Sequence, residues 1–222
     1  MAPPPQSIEV QIVSDVVCPW CAIGFHALAK AAASLDLALA VRWIPFELNP
    51  QIPPAGENLR EHLAAKYGAT LEGSIKARQR LTALGAELGF TFNYADDMRM
   101  WNTFRAHQLI AWAAEQRRAH DMKMALFQAY FTERRNISDI DALAEIAGSI
   151  GLDAAAAREG LMSEVYAEGV REEELAWMKR GVTGVPLVVF EGQHAAPGAQ
   201  DVETYRAILR KLTAQPIAAA GS

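Results

Sequence analysis

Cysteine is almost missing from this chain, with two residues in 222. That excludes a disulfide-stapled scaffold and a four-cysteine zinc site. A cationic surplus is also lacking. Lysine and arginine total 21 against 26 aspartates and glutamates, a net charge of -5, and non-specific nucleic-acid binding needs the opposite balance. No stretch approaches the roughly 20 continuous apolar residues of a membrane-spanning helix, so neither nucleic acid nor membrane is an expected partner. The opening Met1-Ala2-Pro3-Pro4-Pro5-Gln6-Ser7 has no basic start and no apolar core of a signal peptide. It reads as a flexible lead-in, and cytoplasmic residence is the expectation. In a reducing compartment a lone cysteine pair points to catalysis or metal binding rather than to a structural disulfide.

What is present is ordinary in bulk and specific in detail. Apolar residues make up 51% and charged residues 21%, enough for one core or a core with an added lobe. Ile8, Val10 and Ile12 alternate with Glu9 and Gln11, the period of a strand. An Ala- and Leu-rich helix is expected from Ile23 to Leu35, and a second strand from Leu37 to Phe46. Strand, helix and strand in that order form a βαβ unit with parallel strands. Asn49-Pro50-Gln51-Ile52-Pro53-Pro54-Ala55-Gly56 then breaks the pattern. Helices are expected over Leu59–Tyr67 (capped by Asn58), Leu71–Leu88, Asn102–Arg118, Asp121–Phe131, Ile140–Ile150, Asp153–Leu161 and Ser163–Gly181. Leu187-Val188-Val189-Phe190 is a compact strand, with a turn at Glu191-Gly192, a return over Gln193–Ala196 and a closing helix over Asp201–Thr213. The tail from Ala214 is expected to be disordered. One sheet built from both ends of the chain, with a helical insertion between, fits this order. The divisions are 1–50, 51–160 and 161–222.

The two cysteines stand together as Cys18-Pro19-Trp20-Cys21, where the first strand gives way to the first helix. C-x-x-C at such a junction is the form of a redox-active dithiol. Unpaired N–H groups at a helix N-terminus stabilise an anion, so Cys18 is the expected thiolate and nucleophile. Cys21, one turn on, can reach Cys18 and resolve a mixed disulfide. Pro19 suits the first helical position. Half of a zinc site is the rival reading, but it requires a second pair or nearby histidines. The five histidines, His26, His62, His107, His120 and His194, are scattered and none has ligand spacing. No metal and no other cofactor is expected.

Gly181-Val182-Thr183-Gly184-Val185-Pro186 precedes the compact strand. It reads either as a turn that orients that strand or as a wall of the site. In the second case a cis Val185–Pro186 bond faces the dithiol and offers Val185's backbone to a bound peptide. Trp20, Phe25, Phe46, Met98, Met100 and Trp101 are candidates for an apolar groove around the dithiol, and Pro19, Trp20 and Val185 for substrate contact. His26, His107 and Asn102 read as packing, core and cap residues. Arg171-Glu172-Glu173-Glu174 reads as a solvated helix face.

Ser14-Asp15-Val16-Val17-Cys18-Pro19-Trp20-Cys21-Ala22-Ile23-Gly24 resembles the active-site signature of DsbA-type thioredoxin-like proteins, in particular the FrnE-like group of dithiol–disulfide oxidoreductases. Phe46-Glu47-Leu48-Asn49-Pro50, Asn102-Thr103-Phe104-Arg105-Ala106-His107 and the Gly181–Pro186 segment are similar to that group's other markers. The resemblance implies an α/β thioredoxin-like fold with an inserted all-helical domain. It also implies Cys18 as nucleophile, Cys21 as resolving thiol, Pro186 as cis-proline, and thiol- or disulfide-containing proteins or peptides, with glutathione a further candidate, as partners. Two positions depart from the pattern. Ile12 stands where many thioredoxin-like proteins place a buried acid, leaving Asp15 or Glu47 as candidates for proton transfer. Pro-Trp replaces the Pro-His of the strong oxidases, which implies a less oxidising dithiol. The competing activity is a glutathione-dependent isomerase or transferase of the kappa or 2-hydroxychromene-2-carboxylate isomerase type, which typically carries serine at the nucleophile position. A non-catalytic binding or chaperone module is the third reading.

Overall fold

The computed structural model describes residues 6–53 and 55–214. Most of the expected N-terminal lead-in, and the tail from Gln215, lie outside the described residues.

Strand β1 (Ser7–Ser14) runs into helix α1 (Pro19–Ala33), which returns to β2 (Ala38–Pro45). β1 and β2 pair in parallel from Ser7↔Ala38 to Ser14↔Pro45. The chain then leaves the sheet. A two-residue strand β3 (Glu57–Asn58) opens α2 (Leu59–Tyr67) and α3 (Leu71–Glu87), and β4 (Arg99–Met100) comes back to pair with β3. Next come α4 (Phe104–Glu115), α5 (Ala119–Phe127), α6 (Ile140–Ser149), α7 (Ala154–Met162) and α8 (Ala167–Lys179). The chain re-enters the sheet as β5 (Leu187–Phe190) and β6 (His194–Pro197) and closes with α9 (Val202–Ala214). The sheet order is β2-β1-β5-β6, and β5 runs antiparallel to β1 with Val13 opposite Leu187.

Local chemistry accounts for several boundaries. Asn58 caps α2, its Oδ1 accepting the N–H groups of Arg60 at 3.0 Å and Glu61 at 3.2 Å. Gly68 ends that helix at φ 65°. Asp139 and Asp153 cap α6 and α7 in the same way. Several ends differ from the sequence reading: α1 begins at Pro19 rather than Ile23, and α4 spans Phe104–Glu115 rather than Asn102–Arg118. The helix expected to run to Phe131 becomes a π-helical turn over Gln128–Thr132. The one expected from Ser163 begins at Ala167, after Glu164 takes φ 53°. The β3–β4 ladder is too short to leave a periodic signal.

Alternation along β1 sorts the core. Ile8, Val10 and Ile12 join Leu28 of α1 and Tyr205 of α9 in the main cluster. Val13 faces the other way, into a smaller cluster with Ile44, Phe46, Trp177 and Val189. Arg171-Glu172-Glu173-Glu174 is not a wholly solvated face. Glu174 is 5% exposed, and Arg171 bridges it at 2.9 Å and Glu47 at 3.1 Å.

Candidate active site

Both cysteines sit where β1 hands over to α1, and both are free thiols. Cys18 is the N-cap, with Pro19 at the first helical position. The Cys21 and Ala22 N–H groups bond the Cys18 carbonyl at 3.1 and 3.4 Å. Cys18 is 3% exposed and Cys21 is fully buried. The Val185–Pro186 bond is cis, and the Cys18 Sγ lies 3.8 Å from the Val185 carbonyl oxygen. The dithiol and the Gly181–Pro186 segment therefore meet, although they come from opposite ends of the chain.

Cys18, Pro19, Trp20 and Val185 border a cavity of about 390 Å³, closed on its other sides chiefly by α2 and α3. Leu59, Leu63, Leu81 and Met100 make its wall largely apolar. Trp20, 39% exposed, stands at its rim with the Arg80 guanidinium 5.7 Å from its ring centroid. Of the other residues expected in the groove, Met100 lines it, whereas Phe25, Phe46, Met98 and Trp101 do not. Phe25 points at Trp43 and His120. Phe46 joins the smaller core cluster, Met98 is buried in the main one, and Trp101 stacks under Arg99. His26 packs on Phe90. Asn102 Oδ1 accepts the Phe104 N–H at 3.0 Å, as a cap.

The electrostatics of the pair differ from the sequence expectation. Contact with Cys21, burial and the negative charge of Cys21 push the Cys18 thiol well above its ordinary pKa. For Cys21, burial acts upward, but the contacts with Cys18 and Ser14, the Lys123 charge and the Asp15 peptide N–H outweigh it and lower the pKa. These contacts favour proton loss from Cys21 over proton loss from Cys18. The helix N-terminus does not win at Cys18 because its side chain caps no helix N–H, while Cys21 has a cation nearby.

Asp15 is fully buried three residues before Cys18. Its Oδ2 accepts the Leu48 N–H at 2.8 Å, and its Oδ1 is 3.4 Å from the Nε2 of buried His107. Burial would raise its pKa, but His107, the Leu48 N–H and Lys123 lower it, so the carboxylate stays ionised. Glu47 is raised by burial and by Glu174, and it is held by Arg171. Sequence reasoning missed Lys123, which is 1% exposed. Its signal was positional: residue 123 shares a helix face with Ala119, Leu126 and Phe127. Among the described residues, no group of three or more His, Cys, Asp or Glu could hold a metal ion, and no helix is long and apolar enough to cross a membrane.

Comparison with known proteins agrees with this architecture. The sequence profile of the DSBA-like thioredoxin domain matches residues 9–210. The uncharacterised protein YwbO of Bacillus subtilis is 28% identical over 204 residues, covering 90% of this chain and 94% of that one. A probable DsbA oxidoreductase from Streptomyces coelicolor superposes with a TM-score of 0.88 at 29% identity, over 97% of this chain and 94% of that one. A 2-hydroxychromene-2-carboxylate isomerase shares the fold at a TM-score of 0.69 and 18% identity, over 92% and 96% of the two chains. The profile, the sheet order and the helices set between β2 and β5 make this chain a member of the DsbA-like thioredoxin-domain family.

Proposed function

We propose that the protein is a thiol–disulfide oxidoreductase of the FrnE-like kind, acting on protein or peptide substrates through a Cys18 mixed disulfide. The observation that carries this reading is the placement of Cys18 at the edge of an apolar cavity, 3.8 Å from the Val185 carbonyl. Cys18 is the nucleophile by position, since Cys21 has no exposed surface. As Cys18 attacks a substrate disulfide, its proton passes to the Cys21 thiolate. A Cys18–substrate bond forms, and one substrate sulfur leaves with its electron pair. Cys21, once deprotonated, attacks the Cys18 sulfur, closes the Cys18–Cys21 disulfide and releases the second substrate thiol. Pro186 shapes the wall, Val185 offers its carbonyl to an extended peptide, and Pro19 and Trp20 contact the substrate. The division into 1–50, 51–160 and 161–222, cytoplasmic residence and glutathione as a partner belong to the same reading.

Reduction of insulin disulfides tests it. The expected result is turnover that Cys18→Ser abolishes. Cysteine-independent isomerisation of a glutathione-linked small molecule, with no insulin reduction, would instead favour the isomerase reading. The enclosed shape of the cavity is compatible with that alternative.

A further inference from the structure

An ammonium group buried in an apolar interior costs several kcal/mol unless it is compensated, yet Lys123 is 1% exposed. Its Nζ lies 5.2 Å from the Trp43 ring centroid and 4.9 Å from that of Phe127. Its hydrogen bond goes to the Ser14 carbonyl at 3.4 Å. Ser14 also touches Cys21, through its side chain. Lys123 arrives on α5, from the helical segment, so the insertion places a cation behind the dithiol.

Resting on the thiol-exchange reading above, we propose that Lys123 takes the proton from Cys21, making the resolving thiolate, and exchanges that proton with water in a second cavity. The need follows from the order of events. Cys21 receives the Cys18 proton in the first step and must lose it before the second. The groove in front of Cys18 is then occupied by substrate, and Cys21 itself is fully buried. A separate cavity of about 480 Å³, lined by Trp43, His107, His120 and Lys123, shares no lining residue with the groove.

The other groups facing the pair do not serve. Position 12 is isoleucine. Asp15 is held ionised by His107 and Lys123 against its burial. His107 Nε2 points between Asp15 and the Phe46 carbonyl. Tyr205 of α9 is pushed up to about 12 by burial, and burial raises Tyr94 and Tyr130 further. His120 stacks on Trp43, and burial lowers its pKa. Burial also lowers Lys123, against the charges of Cys21, Asp15 and Cys18, to about 8. It therefore exchanges protons near neutrality. The step balances. When Cys21 takes up the Cys18 proton, Lys123 loses that counter-charge and its ammonium gives its proton to the water of the second cavity. The neutral Lys123 amine and the Cys21 thiol then become ammonium and thiolate. The thiolate forms the Cys18–Cys21 bond, the Cys18–substrate bond breaks, and the departing sulfur keeps the electron pair. The ammonium then returns its proton to the solvent of the second cavity.

Two readouts test Lys123 as a positioning residue acting through Cys21. In a Cys18→Ser background, ultraviolet thiolate absorbance gives the Cys21 midpoint. Lys123→Met is expected to raise it by about one unit or more. An unchanged midpoint in a variant with native circular dichroism overturns the proposal. In the two-cysteine protein, release of thionitrobenzoate from the Cys18 mixed disulfide is expected to slow about tenfold at neutral pH in Lys123→Met and to converge with the unsubstituted rate in alkali. Identical pH profiles overturn it. Should Lys123→Met not fold, lysine carbon NMR of the lysine-intact protein decides: Cys21→Ala should lower the Lys123 midpoint, and an unmoved midpoint overturns the proposal. If the unsubstituted protein releases no thionitrobenzoate while the Cys21 midpoint still follows Lys123, the exchange reading fails and the lysine–thiol pairing stands.

Discussion

The Cys18 Sγ is 3.8 Å from the Val185 carbonyl across 167 residues of sequence. β1 and β5 hold that approach. Cys18 follows β1 and Val185 precedes β5, and the strands pair with Val13 opposite Leu187. The Cys18 sulfur and the Val185 carbonyl are therefore positioned by one sheet and not by the loops alone.

Removing the resolving thiol should stop the exchange half-way. Cys21→Ser, incubated with a peptide disulfide, is expected to accumulate a covalent Cys18–peptide adduct visible by intact mass and released by reductant. Cys18→Ser should form none. An adduct on Cys21 instead would reverse the assignment of the two roles.

The dithiol should be a weaker oxidant than DsbA, whose potential is about -120 mV because its reduced form is stabilised. Here Cys18 is pushed up by Cys21 and by burial, and Trp20 offers no charge. Equilibration with glutathione buffers should give a clearly more negative potential, and a value near -120 mV would refute this.

Lys123 makes stability depend on pH in the alkaline range. Its folded pKa of about 8 lies below the 10.5 of the free side chain, so the unfolded chain binds more protons between these values. Stability therefore rises with pH through that window. Relative to Lys123→Met, the unsubstituted protein should gain up to about 3 kcal/mol between pH 8 and 10.5. Asp15 acts at the other end. Its lowered pKa adds stability above the ordinary carboxylate range that is lost as acid protonates the folded state, and Asp15→Asn should lack that acid-side loss. Urea midpoints across pH read both slopes, and an alkaline slope of opposite sign would mean that Lys123 is stabilised as the cation.

Gly85 of α3 lies against the Phe90–Phe92 segment. A Cβ built there would meet the Phe92 ring at 2.5 Å and the Phe90 carbonyl oxygen at 2.6 Å. Alanine gains about 1 kcal/mol of helix propensity, but overpacking costs about 1–3 kcal/mol. With rigid backbone as one clashing partner, the clash should win. Gly85→Ala should lower the melting temperature by a few degrees, and a rise would show that α3 shifts freely.

What the sequence disclosed was local. Period-two alternation marked β1. Pro19 after Cys18 marked the start of α1, Asn58 and Gly68 bounded α2, and Pro186 marked the entry to β5. Which side chains share a cavity was less legible, because it depends on how faces meet. Phe46 and Phe25 have the right chemistry for the groove, but the sheet and α1 turn them toward Trp177 and Trp43. Charge misled in the same way. Glu174 and Lys123 look like solvated residues on amphipathic helices, and only tertiary packing reveals that each is buried beside an opposite charge.

The groove's roof has its own consequence. α2 covers the cavity, yet Leu59 is its only buried residue. It is tied down by the Asn58 bond to the Asp96 carbonyl at 3.0 Å and by Lys66 reaching the Leu48 carbonyl at 2.8 Å. So little apolar burial makes lifting it a local event, far below global unfolding in free energy. Its amides should exchange with deuterium much faster than those of α1, whose inner face is sealed. Bulky chains can then reach Cys18 while the sheet that aligns Cys18 with Val185 stays folded.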